Sequence, residues 1–174
     1  SQEVDVASQD PVQGDNLAYT VHFYAASMGA DLRGKVSTAL ANGAAIFATE
    51  WGTCEYTGDG RLDLEESQAW QDFMEENHIS DSNWAISDKE ESCSALRGGA
   101  SGSGGWSDGD LTESGAWVRS SIRKYNSDEP LAGAGAAGSA GGQFEELLMK
   151  KHAVLRGPAR PSGDRGGRGA WRVA

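Results

Sequence analysis

The apolar positions along the chain follow two periods in turn. Residues 17–24 (LAYTVHFY) are dense in β-branched and aromatic side chains over the length of a strand, and residues 45–50 (AIFATE) repeat that character. A third run of this kind, 82–87 (SNWAIS), carries Trp84 and Ile86. After each run the spacing becomes helical. Residues 31–41 set Leu32, Val36, Ala39 and Leu40 on one face behind Asp31 as a cap, and Asn42-Gly43 supplies a stop. Residues 64–77 set Ala69, Trp70, Phe73 and Met74 on one face behind Asp63, and residues 112–125 turn Ala116, Trp117, Ser120 and Ile122 inward behind Thr112. Successive strand–helix units predict an α/β fold with a parallel sheet covered by helices.

Beyond residue 125 this pattern stops. Residues 126–142 end in LAGAGAAGSAGG, which has almost no side chains to bury and reads as a Gly/Ala-rich linker. Residues 143–155 have the spacing of a short amphipathic helix, and the Arg-, Gly- and Pro-rich remainder to residue 174 reads as a disordered tail. The expected organisation is therefore a folded unit over 1–125, a linker over 126–142 and a helix with tail over 143–174.

Composition changes this picture in one respect, the charge. Of 174 residues, 26 are acidic and 15 basic, for a net charge of −11. The imbalance is confined to residues 1–130, with 23 acidic and 8 basic side chains, while residues 131–174 are net positive. A surface so acidic repels phosphates, so nucleic acid is not an expected partner of the folded unit. The longest apolar stretch, residues 42–51, falls far short of the roughly 20 residues of a membrane span. No membrane association is expected.

In parallel sheets flanked by helices, chemistry collects at the carboxyl ends of the strands. Here those ends carry His22, Phe23 and Tyr24; Glu50, Trp51 and Gly52; and Asn83, Trp84, Ser87, Asp88 and Lys89. Each strand delivers polar, titratable or aromatic groups to one edge. Taken alone, a His between Val21 and Phe23 is more often a satisfied core residue, and the ordinary reading of DKEE at 88–91 is a solvated charge run.

The motifs HFYA, ATEWG, NWAISDKEES and ALRGGASGSGGW, in this order and spacing, resemble the last βα units of glycoside hydrolase family 5, in its bacterial endo-β-1,4-glucanase (cellulase) branch. The resemblance spans about residues 1–125. It implies a partial (β/α)8 TIM barrel made of strands six to eight, and cleavage of β-1,4-glucan with retention of configuration. By the same resemblance Glu50 matches the nucleophile, and His22 and Tyr24 match a pair beside it, the Tyr hydroxyl bonding the nucleophile. Trp84 matches a sugar-stacking platform, and Lys89 and Glu91 match polar residues binding a glucose unit one subsite further along. A β-glucan is the implied substrate. No cofactor is implied, and the secreted, extracellular location follows the family's habit.

Several features depart from that pattern. A retaining glycosidase needs a second carboxyl about 5 Å from the nucleophile. The family's proton donor lies in an Asn-Glu-Pro motif that this sequence lacks, and Glu55, Glu90 and Glu91, or a carboxylate of a second subunit, stand as substitutes without family precedent. A catalytically inactive, glucan-binding fragment is the rival expectation. Three βα units also leave a sheet face and edges open, for which a homo-oligomer burying the open face is the expected remedy. Residues 55–66 (EYTGDGRLDLEE) resemble a Ca²⁺-binding loop with Gly60 at its sixth position, but its first ligand is Glu and not Asp, so no metal is assigned. Cys54 and Cys93 follow neighbouring strand ends, where a disulfide and two free thiols are both open.

Overall fold

β1 (Leu17–Tyr24), β2 (Ile46–Gly52) and β3 (Ser80–Asn83) pair in parallel in the order β3-β2-β1. Each connection is a helix, because adjacent parallel strands need a crossover long enough to return the chain to the same end of the sheet. α2 (Ala30–Ala41) follows β1, α3 (Leu64–Glu76) follows β2, and α4 (Glu113–Tyr125) follows β3 after a long loop that ends in a 3-10 turn at Asp108–Asp110. A one-turn helix, α1 (Val4–Ala7), precedes β1 and is too short for apolar spacing to reveal. The structure is a computed structural model that describes residues 1–125 and 172–173. The linker and the helix expected over 126–155 lie outside the described residues. Arg172–Val173, within the tail expected to be disordered, instead forms β4 and pairs in parallel with Leu17 and Ala18. The outer edge of β1 offers unpaired backbone groups there, and two residues of tail satisfy some of them.

Alternation along β1 sorts its side chains. Tyr19, Val21 and Phe23 join the core against the helices, while Thr20, His22 and Tyr24 take the opposite face. The core is aromatic. The Phe23 ring stacks on Trp70 with centroids 3.9 Å apart, and Trp51 lies 5.7 Å from Phe23. The two buried indole N–H groups both find acceptors, Trp70 at the Met28 carbonyl (2.7 Å) and Trp51 at the Asp81 carboxylate (2.6 Å). Phe23 and Trp51 thus anchor, from behind, the strand residues that neighbour them in sequence.

The helices differ from expectation in detail. α2 begins at Gly29 with no side-chain cap, so Asp31 sits in its first turn and caps nothing; the Asn42-Gly43 stop is present, with Gly43 at φ +85°. In α3, Asp63 accepts from the Glu66 amide at 3.0 Å as an N-cap should. The buried face of α3 is Ser67, Trp70, Gln71 and Met74, with Ala69 and Phe73 at its margin. α4 is rotated from the expected position. Thr112 caps it, but Ser114, Gly115, Val118 and Ser121 face inward, whereas Ala116, Ser120 and Ile122 are exposed. A Cβ on Gly115 would lie 2.0 Å from the Ala95 carbonyl oxygen, so small residues let α4 seat directly on backbone. β3 ends at Asn83, earlier than the aromatic pattern suggests, and Ile86 is left 73% exposed.

Candidate active site

A one-residue irregularity in β2 creates the site. Val21 pairs with Ala48, but His22 pairs with Glu50, so Thr49 is an extra residue on β2. Such a bulge sets two consecutive side chains on one face. Ala48 and Trp51 accordingly both reach the helix-covered core, and Thr49 and Glu50 both stand on the face of Thr20, His22 and Tyr24. Unbroken alternation from Ile46 and Ala48 would have put Glu50 in the core.

The Tyr24 hydroxyl donates to Glu50 Oε1 at 2.7 Å, and His22 Nδ1 lies 3.8 Å from Glu50 Oε2. The other ring nitrogen of His22 shares a 2.9 Å hydrogen bond with the Thr49 hydroxyl, which is bonded in turn to Thr20. Burial raises the Tyr24 phenol well above its ordinary pKa, and the carboxylates of Glu50 and Glu91 add to the effect. Tyr24 therefore stays protonated and acts as a fixed donor to Glu50. The Glu50 side chain itself is 28% exposed, open to a ligand from the sheet's free face.

Gly52 makes this arrangement possible. A Cβ there would lie 2.6 Å from the Cys93 sulfur and 2.7 Å from the Tyr24 ring, so only glycine lets the phenol lie flat against the strand end. Cys54 and Cys93 are joined in a disulfide with Cα atoms 5.5 Å apart, which resolves the choice between a bridge and free thiols. Tyr24, Cys54 and Cys93 form a small buried cluster of their own, bordered by Leu62.

The remaining expected site residues gather on the loop after β3. Trp84 follows directly on the strand, its amide donating to the Trp51 carbonyl at 2.7 Å, with the residue 44% exposed and a cis peptide to Ala85. Lys89 Nζ donates to Glu91 Oε1 at 2.6 Å. Glu91 and the Trp84 indole both border Gly58, within 4 Å of where a Cβ would be. All six expected residues thus share one edge of the sheet.

The loop likened to a Ca²⁺ site is engaged otherwise. Asp59 Oδ1 accepts from the Ser92 amide (2.9 Å) and hydroxyl (2.7 Å), which pulls the Asp59 carboxyl below its ordinary pKa, and Asp63 is taken by Glu66 and Arg61. Among the described residues no group of three or more His, Cys, Asp or Glu side chains could hold a metal. Thr20, Thr49, Asp59 and Ser92 were not among the expected site residues. Thr49 had a signal, the two consecutive polar residues Thr49-Glu50 between Ala48 and Trp51.

Comparison with known proteins decides the family. Residues 1–90 match the model of the cellulase family, glycosyl hydrolase family 5. The chain belongs to glycosyl hydrolase family 5. It is 48% identical over 126 residues to an endoglucanase of Clostridium saccharobutylicum, covering 72% of this chain and 28% of that protein. Among solved structures, one from Cytophaga hutchinsonii superposes with a TM-score of 0.70 at 43% identity, over 71% of this chain and 40% of that one. The catalytic domain of Thermobifida fusca endoglucanase Cel5A, solved with cellotetraose, gives 0.64 at 34% identity over 68% and 39%. This family 5 chain therefore spans little more than a quarter of the length of the curated relatives it matches. Its α/β fold of parallel strands and covering helices agrees with theirs.

Proposed function

We propose that this chain carries the nucleophile and part of the glucan-binding surface of an endo-β-1,4-glucanase that acts with retention of configuration, β1 to β3 being strands six to eight of a (β/α)8 barrel. The observation that carries this reading is the 2.7 Å hydrogen bond from Tyr24 to Glu50 on the bulge of β2. With Oε1 engaged by the phenol, Oε2 is the oxygen left to attack the anomeric carbon. The C–O bond to the leaving sugar breaks as a glycosyl ester to Glu50 forms, and water later cleaves that ester. Trp84 offers an exposed flat face for a pyranose ring, while Lys89 and Glu91 offer a donor and an acceptor to its hydroxyls. The substrate is a cellulose-type β-glucan. The disulfide is consistent with an oxidising, extracellular setting, and no helix among the described residues is long and apolar enough to cross a membrane. Self-association over the sheet's open face is part of the proposal.

The leaving oxygen needs a proton, and this favours weighing a second reading. Arg61 faces Glu55 at 4.0 Å, and Lys89 binds Glu91 at 2.6 Å, so both neighbouring carboxyls are already engaged by cations and neither is presented as a free acid beside Glu50. On this reading the chain binds glucan without cleaving it. Hydrolysis of carboxymethylcellulose by the purified chain and by Glu50→Gln separates the two. Turnover that is lost in the variant supports the enzyme, whereas cellotetraose binding without turnover in either supports the binding fragment. Equal turnover in both removes Glu50 from the mechanism.

A further inference from the structure

The loop after β2 and the loop after β3 are fastened together at several points. The disulfide joins Cys54 to Cys93, the Cys93 amide donates to the Gly58 carbonyl at 3.2 Å, and Asp59 accepts twice from Ser92. These fastenings flank the working groups directly. Ser92 and Cys93 follow Glu91 in sequence, and the Cys93 sulfur and the Tyr24 ring crowd the same vacant Cβ position of Gly52. Gly58, at the centre of the seam, is buried between Trp84 and Glu91.

Resting on the glucan-binding reading above, we propose that the Cys54–Cys93 disulfide and the Asp59 carboxylate form a clamp that positions Tyr24 against Glu50 and the Lys89–Glu91 pair beside Trp84. Asp59 is in this sense a positioning residue. It reaches no sugar itself but fixes Ser92, and through it the backbone that presents Glu91. The disulfide is the inner jaw, since Cys54 and Cys93, with residue exposures of 0% and 1%, share one buried cluster with Tyr24. Its burial keeps thiol reductants away while the loops are closed. The outer jaw is a pair of hydrogen bonds, the Ser92 amide and hydroxyl both donating to Asp59 Oδ1, which also holds the Asp59 carboxyl below its ordinary pKa.

The test uses the whole chain and two independent readouts. Calorimetric titration with cellotetraose, at a temperature where the variant is fully folded, should find Asp59→Ala weaker by about fivefold, the size of one net hydrogen bond. Asp59→Asn should restore most of the affinity, because an amide oxygen still accepts from Ser92. A purely structural aspartate would lower the melting temperature and leave affinity alone. Nitration by tetranitromethane, located by peptide mass, should modify Tyr56, which is 68% exposed, and spare Tyr24, which is 7% exposed. In Cys54→Ala/Cys93→Ala with unchanged far-ultraviolet circular dichroism, Tyr24 should become nitrated. Tyr24 remaining protected there, or Asp59→Ala binding as wild type, overturns the clamp. Should wild type bind no cellotetraose, the glucan-binding reading fails, and nitration of Tyr24 still decides the clamp. If the double variant does not fold, Asp59→Ala and Asp59→Asn decide it.

Discussion

Gly52 and Tyr24 act as a pair, one yielding the space the other fills. Gly52→Ala drives a methyl into the Cys93 sulfur and the Tyr24 ring, and overpacking of this kind costs about 1–3 kcal/mol. Urea unfolding should register that loss, together with a weakened Tyr24–Glu50 contact. The phenol also sets an alkaline limit. Its pKa is raised on folding, first by burial and then by Glu50 and Glu91, so the folded state holds this proton more tightly than the unfolded one. That contribution is complete below the ordinary tyrosine value of about 10 and is lost as pH rises beyond it. Tyr24→Phe should therefore flatten the decline of stability above that pH, as read from urea midpoints. At this scale the sequence was legible where chemistry accumulates. Glu50, His22 and Tyr24 lie on the strand ends of β1 and β2, and Trp84, Lys89 and Glu91 on the loop that follows β3. It was illegible where one side chain acts through another, as Asp59 does through Ser92, because spacing does not say which loops touch.

Helices and strands followed their periodicity where large apolar side chains set the contact, and departed from it where small ones did. Leu32, Val36, Trp70 and Met74 mark the buried faces of α2 and α3 openly. α4 instead packs through Ser114, Gly115 and Ser121, whose value lies in letting a helix approach the Ala95 carbonyl and the Thr53 hydroxyl, 2.7 Å from Ser114. Hydropathy assigns such residues to solvent, which is why Ala116 and Ile122 took their place in the sequence reading. Gly115→Ala should displace the first turn of α4 and cost about 1–3 kcal/mol, a larger effect than helix propensity, which by itself favours alanine. Thermal unfolding of that variant distinguishes the two, since a gain in melting temperature would mean that α4 can slide. β3 was misplaced for a related reason. Its register is set by pairing with Phe47, Ala48 and Trp51 and by the Trp51–Asp81 bond, and not by the aromatic Trp84.

For the whole molecule, charge and edges matter together. Hydrogen bonds hold the carboxyls of Asp59, Asp63, Asp72 and Asp110 below their ordinary values. The unfolded chain then binds more protons as acid is added, so stability is full above about pH 4 and fades below it. Urea midpoints measured from pH 6 downward should fall together over that window. Among the described residues β3 is one edge strand of the sheet, and the residues that pack with Ala48 and Trp51 against the helices lie on the face opposite Thr20, Thr49 and Glu50. Light scattering coupled to size exclusion should find more than one copy per particle; a stable monomer would mean that the open face is tolerated or covered within one chain. β4 already illustrates the pull of such edges, since two residues of a tail without apolar period are captured by β1.

The bulge in β2 has an implication for how such a carboxylate can be lost or acquired. A strand keeps parity, odd positions to one side and even to the other, and a point substitution changes the group at a position without changing its side. Thr49 breaks the parity once, so every residue from Glu50 onward has exchanged faces relative to Ile46. Straightening the strand with Thr49 kept would deliver the carboxylate to the aromatic core and the Trp51 indole to open solvent, whereas deleting Thr49 would restore plain alternation with Glu50 still opposite His22. With Thr49 in the chain, Glu50 owes its place at the surface to the bulge, and a variant that loses the residue and the bulge together keeps the carboxylate there.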